Sequence, residues 1–448
     1  MKKYKLGELL EITRGASLSG EFYSTEGELI RLTLGNFDYQ NGGFKENTSK
    51  DDLFFTGEVK PQFILNEGDI ITPLTEQTQG LIGSTARIPK SGVYIQSQDV
   101  ALVKCNEELL DPTYCYYLLP SQSVKKQLSA GAQQTKIRHT SPDKIKDVTV
   151  FIPELKDQKR IGELLSTIDS QIDNLTAINR NLEQVVKQLY DYWFVQFEFP
   201  DDEGKPYRSS GGVMVWNEKL KRMVPALWNV VPLESLGSFK NGINYSRDEL
   251  GNYDYKIVNV RNISSSSLFI DTQTLDGICL MSETADNYLV KDNDILIARS
   301  GTPGATRILQ EGARDVIYCG FIICFSVHRK STKPLLTYQL KDLERITNEQ
   351  SNGSILSNIS QDVLKRIQAI MPPDYVLQEF NQKILPIWDM LDILINEKSR
   401  LITLRDELMP LLLNGQVSVG NRTLYDFKLV DTRVAAESGD DVNCDLSQ

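Results

Sequence analysis

The chain has 448 residues, of which 40% are hydrophobic and 24% charged, and its net charge is −11. That length fits about three domains of an ordinary folded protein, with no difficulty in burying cores. The acidic balance argues against a non-specific nucleic-acid coat, yet it leaves room for a reader whose basic groups gather on one face. The longest strongly apolar stretch, 318–327, is half of the ~20 residues a membrane span needs, so no membrane partner is expected. The basic start is followed by no apolar segment of the kind a secretory signal carries. Six cysteines form no CxxC pair and no zinc spacing, as expected of reduced thiols in a cytoplasmic protein.

In chain order, residues 1–152 read as a first globular region, with strands at 30–34, 69–72, 100–104 and 148–152 and helix within 112–129. Residues 153–200 read as a long helix, because no proline lies between Glu154 and Phe199. A stretch rich in Gly, Ser and charge, 201–225, reads as a linker. A second globular region, 226–371, carries strands at 257–260, 294–298 and 321–327. A second long helix follows over 372–416, opened by Pro372 and Pro373, with a kink or break expected at Pro386 and Pro410. The polar, acidic tail 417–448 is expected to be poorly ordered. The fold class is α+β: two mixed α/β domains without a regular βαβ rhythm, each followed by a long helix.

The second half repeats the first. The run 6–15 (LGELLEITRG) returns at 233–242 (LESLGSFKNG), and 31–37 (RLTLGNF) at 257–263 (IVNVRNI). Next, 66–71 (NEGDII) returns at 291–296 (KDNDIL), and 83–88 (GSTARI) at 304–309 (GATRIL). Chance matches do not keep their order over four segments. The helices repeat too. Ile161, Leu165, Ile168, Ile172, Leu175, Asn179, Leu182, Val186, Leu189 and Trp193 alternate spacings of four and three. Phe380, Ile384, Ile387, Leu391, Leu394, Lys398, Leu401, Arg405 and Leu408 do the same, as in an a/d seam. Asn179 and Lys398 are polar at equivalent seam positions. They either fix register or mark a local gap in packing. The seam aligns at a shift of 219, whereas Pro153…Gln158 and Pro373…Gln378 align at 220, and the sequence leaves that choice open.

Catalytic chemistry is missing. The two histidines, His139 and His328, fall one in each half, which disfavours a histidine-based metal or acid–base cluster. No GxxxxGK[ST] loop occurs; 301–306 (GTPGAT) lacks the lysine, and no GxGxxG follows a strand. No [DN]PP[YF] motif and no paired-carboxylate nuclease motif is present.

Five ordered segments carry a resemblance. They are 192–200 (YWFVQFEFP), 206–218 (PYRSSGGVMVWNE), 227–233 (LWNVVPL), 294–301 (DILIARSG) and 404–415 (LRDELMPLLLNG). Together, over roughly residues 4 to 416, the chain resembles the specificity subunits of type I restriction–modification enzymes. The resemblance implies two target-recognition domains, each reading one half of a split, asymmetric site in double-stranded DNA. It implies that the two long helices pack as an antiparallel coiled coil about a pseudo-twofold axis, holding the domains a fixed distance apart. It also implies docking of two methyltransferase subunits and of restriction–translocase subunits. S-adenosylmethionine, ATP and Mg then belong to those partners, and this chain holds no cofactor, metal or catalytic residue. Arg405 departs from the pattern, since an apolar residue is expected there.

DNA reading needs Arg or Lys for guanine, Asn or Gln for adenine, and clamps for phosphate. In the first half the candidates are Arg14, the loop with Gln77 and Gln79, and the polar run with Gln133, Gln134, Lys136, Arg138 and His139. In the second half they are Lys240, Asn241, Arg261, Asn262, Arg299, Ser300, Thr302, Asn352 and Ser354. The plain alternative for each is a solvated loop or a turn-building side chain. It applies most to Arg299 and Ser300, whose motif belongs to the resemblance itself. Trp193, Phe194 and Phe197 either pack at the helix end or dock a partner. For the whole chain two rivals stand beside the recognition subunit: a coiled-coil adaptor that binds only proteins, and a divergent DNA-modifying enzyme.

Overall fold

The computed structural model describes the chain apart from residues 39–41, 48–49, 77–80, 131–137, 246–250, 352–357 and 421–448. The acidic end of the tail and several candidate loop residues therefore lie outside the described residues. The chain divides into two compact units, Met1–Gln171 with Ile402–Gln448, and Ile172–Leu401. The division cuts both long helices, so it follows neither the globular regions nor the helices as the sequence separates them.

The first unit is built on an antiparallel sheet of β1 (Leu10–Arg14), β2 (Ile70–Pro73), β3 (Ala86–Arg87) and β4 (Val100–Cys105), in the order β1-β4-β2-β3. Arg14 lies opposite Ala101, and Pro73 opposite Val100. The helix expected within 112–129 is two helices, Pro112–Leu118 and Gln122–Ala130. Pro120 lies between them, where it has no N–H to continue the first. Their apolar faces (Tyr114, Leu118, Val124, Leu128) pack with Ile12, Val103, Ile161, Leu165, Leu412 and Leu413 in one core.

The second unit repeats the plan with β5 (Gly237–Asn241), β6 (Asp294–Ala298), β7 (Thr306–Arg307) and β8 (Ile322–Val327), in the order β5-β8-β6-β7. Asn241 lies opposite Ile323, and Ala298 opposite Ile322. Every residue of β6 is buried, the apolar run 295–298 and the Asp294 that opens it alike. The repeated terminal glycine has a steric cause. A Cβ on Gly15 would sit 2.3 Å from the Ser97 carbonyl oxygen, and one on Gly242 would sit 2.1 Å from that of Cys319. Gly83 and Gly304, also matched, both take left-handed backbone, with φ of 84° and 87°.

The register of the repeat is now fixed. Lys2 pairs with Ile152 in one edge ladder and Asn229 with Met371 in the other, so the closing strands stand 219 residues apart. The long helices α1 (Leu155–Tyr190) and α2 (Asp374–Leu413) start at the same shift. The Pro…Gln match at 220 is therefore not structural: Gln158 is buried and accepts from the Asp111 N–H at 2.9 Å, while Gln378 is exposed.

Three expectations need correction. First, of the kink or break expected in α2, the break does not occur: the helix runs for 40 residues through Pro386 and Pro410. Pro386 is exposed, so the carbonyl that loses its partner faces water, and Ile384 and Leu391 beside it are fully buried. Second, the segment read as a linker is folded: Met214–Asn217 and Arg222–Pro225 form a hairpin. Tyr207 stacks on Phe199 at 4.6 Å, and Phe199 packs on Trp228. Third, Asn262, taken as a candidate contact, is buried and bonded within its own turn, as described below.

The aromatic run closes the end of α1, where one wider turn, Asp191–Val195, follows the helix. Trp193, Phe194 and Phe197 are buried, and the Phe194 ring meets Phe380 at 4.7 Å and Trp228 at 5.6 Å. Packing is their role here. The polar seam residues Asn179 and Lys398 are both half-buried, and the Asn179 Oδ1 has no hydrogen-bond partner among the described residues.

Candidate nucleic-acid interface

In the second unit three segments meet at one end of the sheet. They are the end of β5 at Asn241, the turn after β6 from Arg299 to Gly304, and the approach to the helix Gln361–Arg366. The Arg299 N–H donates to the Phe321 carbonyl at 2.8 Å, and the Arg299 carbonyl accepts from the Ile359 N–H at 2.9 Å. The Gln361 amide donates to Asn241 Oδ1 at 2.9 Å. Ser360 caps the helix by accepting from the Val363 N–H. Thr302 and Ser264 share a hydrogen bond at 2.9 Å. The Arg299 side chain is half-buried, and its Nε finds no partner among the described residues.

The first unit assembles the same three segments. Arg14 ends β1, and its Nε donates to the Gln98 carbonyl at 3.0 Å. The short strand Thr75–Glu76 pairs with Arg138–His139, placing His139 opposite Thr75. The Thr75 hydroxyl donates to Asp99 Oδ1 at 3.1 Å and lies 3.4 Å from His139 Nδ1. The Thr140 N–H donates to the Leu74 carbonyl at 2.9 Å, matching the bond of Ile359 to Arg299. Ser141 caps the following helix just as Ser360 does. Glu76 would repel phosphate, but its carboxylate is turned inward and accepts from the Leu81 N–H at 3.0 Å. Burial lowers the pKa of Lys125, and the charge of Glu76 opposes that shift.

The structure thus brings Arg14 and His139 together in one unit, and Asn241, Arg299, Ser300 and Thr302 together in the other. Arg138 joins the first group by its backbone. Gln77, Gln79, Gln133, Gln134, Lys136, Asn352 and Ser354 lie outside the described residues. Lys240 neighbours Asn241 in sequence, but its ammonium donates to the Asn287 carbonyl at 2.7 Å and lies over the Tyr288 ring. Arg261 is exposed and paired with Asp276. Asn262 is 4% exposed; its Oδ1 accepts from the Asn259 N–H at 2.9 Å. Asn36, its counterpart, does the same for Thr33 at 2.9 Å. Asn262 therefore builds a repeated turn, which is why the sequence repeat preserves it. Asp99, Gln361 and Phe321 at these ends carry no separate mark in the sequence, because their partners come from distant segments.

Among the described residues no group of His, Cys, Asp and Glu is arranged to hold a metal ion. No described helix is long and apolar enough to cross a membrane.

The profile of the type I restriction modification DNA specificity domain matches residues 1–184 and 225–406. The specificity subunit of the type I restriction enzyme MjaIX, from Methanocaldococcus jannaschii, is 23% identical over 319 residues, covering 68% of this chain and 69% of that one. The HindI specificity subunit of Haemophilus influenzae is 21% identical over 384 residues, covering 72% and 81%. The crystal structure of a type I restriction–modification S subunit from M. genitalium aligns with 92% of this chain and 96% of its own, at a TM-score of 0.54 and 17% identity. At that identity the likeness is one of fold.

Proposed function

From the premise that this chain belongs to the type I restriction–modification DNA specificity family, and is thus a non-catalytic specificity subunit, we propose that each globular half reads one part of a split DNA site. The observation that carries this reading is the repeated sheet end. The same three segments converge in both halves, on matched backbone bonds, while the side chains they offer differ. Arg14 stands where the other half has Asn241, and Thr75 where it has Ser300. Two unlike readers on one repeated frame suit an asymmetric two-part target, in which Arg favours guanine and Asn favours adenine. The contacts remaining from the sequence reading (Arg14, the 77–80 and 131–139 loops, Asn241, Arg299, Ser300, Thr302 and the 352–354 loop) are assigned to this role.

We further propose that α1 and α2 pair antiparallel. Two contacts support it. Asp169 on α1 accepts from Arg405 on α2 at 3.0 Å in the first unit, and Phe194, just past α1, meets Phe380 near the start of α2 in the second. As many residues separate Asp169 from Phe194 as separate Phe380 from Arg405, in the opposite direction. The pair then sets the spacer between half-sites and offers docking surface to methyltransferase and restriction–translocase subunits. S-adenosylmethionine, ATP and Mg belong to those partners, in the cytoplasm. Inserting four residues into α1 lengthens it by about 6 Å, near two base pairs at roughly 3.4 Å each. Methylation mapping of that variant, assembled with its methyltransferase partner, is expected to show a longer spacer. An unchanged spacer would remove the ruler role.

A further inference from the structure

The apolar run that forms β8 and its approach is buried at Tyr318, Cys319, Ile322, Ile323, Cys324, Phe325 and Val327. Phe321 breaks the run: it is 62% exposed. Its place is fixed, because its carbonyl accepts the Arg299 N–H at 2.8 Å and the next residue opens the paired strand opposite Ala298. Phe321 thus stands at the sheet end, bonded through its backbone to Arg299, which follows β6, and two residues before Ile323, the partner of Asn241 in β5. Single exposed apolar side chains are common on proteins. This one is set apart by its place: the segments that meet at this end of the sheet carry Asn241, Gln361, Ser300 and Thr302, all polar and all part of the proposed reading end. The matched position in the first unit is Asp99, half-buried and bonded to Thr75, so the frame itself does not require an aromatic here.

We propose that Phe321 is a specificity-determining base contact, its ring lying against the C5-methyl group of a thymine in the half-site read by the second unit. Aromatic and other apolar side chains read that methyl in the major groove, where only a T·A pair presents it. The ring supplies the apolar contact, and the Asn241 and Arg299 side chains beside it supply hydrogen bonds to neighbouring base edges. The inference rests on the DNA-reading role given above.

The test uses the chain assembled with its methyltransferase partner and duplexes carrying the mapped site, each thymine replaced singly by deoxyuridine. The assembly with unaltered Phe321 is expected to lose about fourfold in affinity at one thymine of one half-site, the weight of one buried methyl group. The Phe321→Ala assembly is expected to bind more weakly and to treat thymine and uracil there alike. Phe321→Leu, which keeps an apolar side chain, is expected to retain part of the preference. Equal thymine preference in the Phe321→Ala assembly overturns the proposal, as does a mapped site with no methyl-sensitive thymine. If the unaltered assembly does not distinguish its mapped site from scrambled DNA, the DNA-reading role itself falls.

Discussion

Tyr117 in the first unit and Tyr338 in the second stand at matching places against the long helices, and their partners are chemically opposite. The Tyr117 hydroxyl donates to Asp169 at 2.6 Å, and Asp169 also pairs with Arg405 at 3.0 Å. Burial, with the Asp169 charge beside it, pushes the Tyr117 phenol pKa up. At the positions matched by the 219-residue shift, Asp169 becomes Trp388 and Arg405 becomes Val186. The Trp388 indole N–H donates to the Tyr338 hydroxyl at 3.3 Å, and Val186 is fully buried. One site is held by a charge network and the other by apolar packing, on one backbone plan. The frame therefore specifies shape and spacing here and tolerates either chemistry. It also explains Arg405, the residue that departs from the apolar seam: Asp169 answers its charge.

Removing each partner separates the two modes. Trp388→Ala leaves a cavity in the second unit and is expected to cost about 3–5 kcal/mol. Asp169→Ala removes one partner of Arg405 and leaves Asp406 among the others. The Arg405 and Asp169 side chains are 14% and 27% exposed, so the loss is discounted from that of a fully buried pair to about 1–2 kcal/mol. Native-state hydrogen exchange resolves the two effects, since each should appear in its own unit. Equal losses, or a larger one for Asp169→Ala, would contradict the division into ionic and packed modes.

A pH-dependent effect separates the units further, at Lys333 in the second one. Its side chain donates to the Asp292 carbonyl, and burial lowers its pKa from the ordinary 10.5 to about 8, against the opposing charges of Glu311, Asp294 and Asp292. Between about pH 8 and 10.5 the unfolded chain therefore binds more protons than the folded one. The Lys333 contribution to stability rises with pH across that window. Exchange measured from pH 8 to 10 should show this rise in the unaltered chain relative to Lys333→Met. No difference between the two would contradict it.

Much of this fold was readable from the sequence because duplication turns pattern into register. β6 matches its predicted span, and β8 begins only one residue inside the predicted 321–327. What misled was composition. Residues 201–225 look like a tether because Gly, Ser and charge dominate them, yet Trp228 and Phe199 beside them supply a surface on which a hairpin folds. Pro386 reads as a breaker because sequence does not reveal that the lost bond faces water. Asn262 reads as a contact because Asn suits adenine, yet it is repeated because it builds a turn. Phe321 was hidden inside an apolar strand, since nothing in a run of buried residues marks the exposed one.

The central claim is that the two halves read separate parts of one DNA site. Mapping the methylated sequence for the assembled complex with Arg14→Ala, and again with Asn241→Ala, tests it most directly. The expected result is a two-part motif in which each substitution relaxes a different part and leaves the other intact. A single continuous motif, or relaxation of the same part by both substitutions, would contradict it.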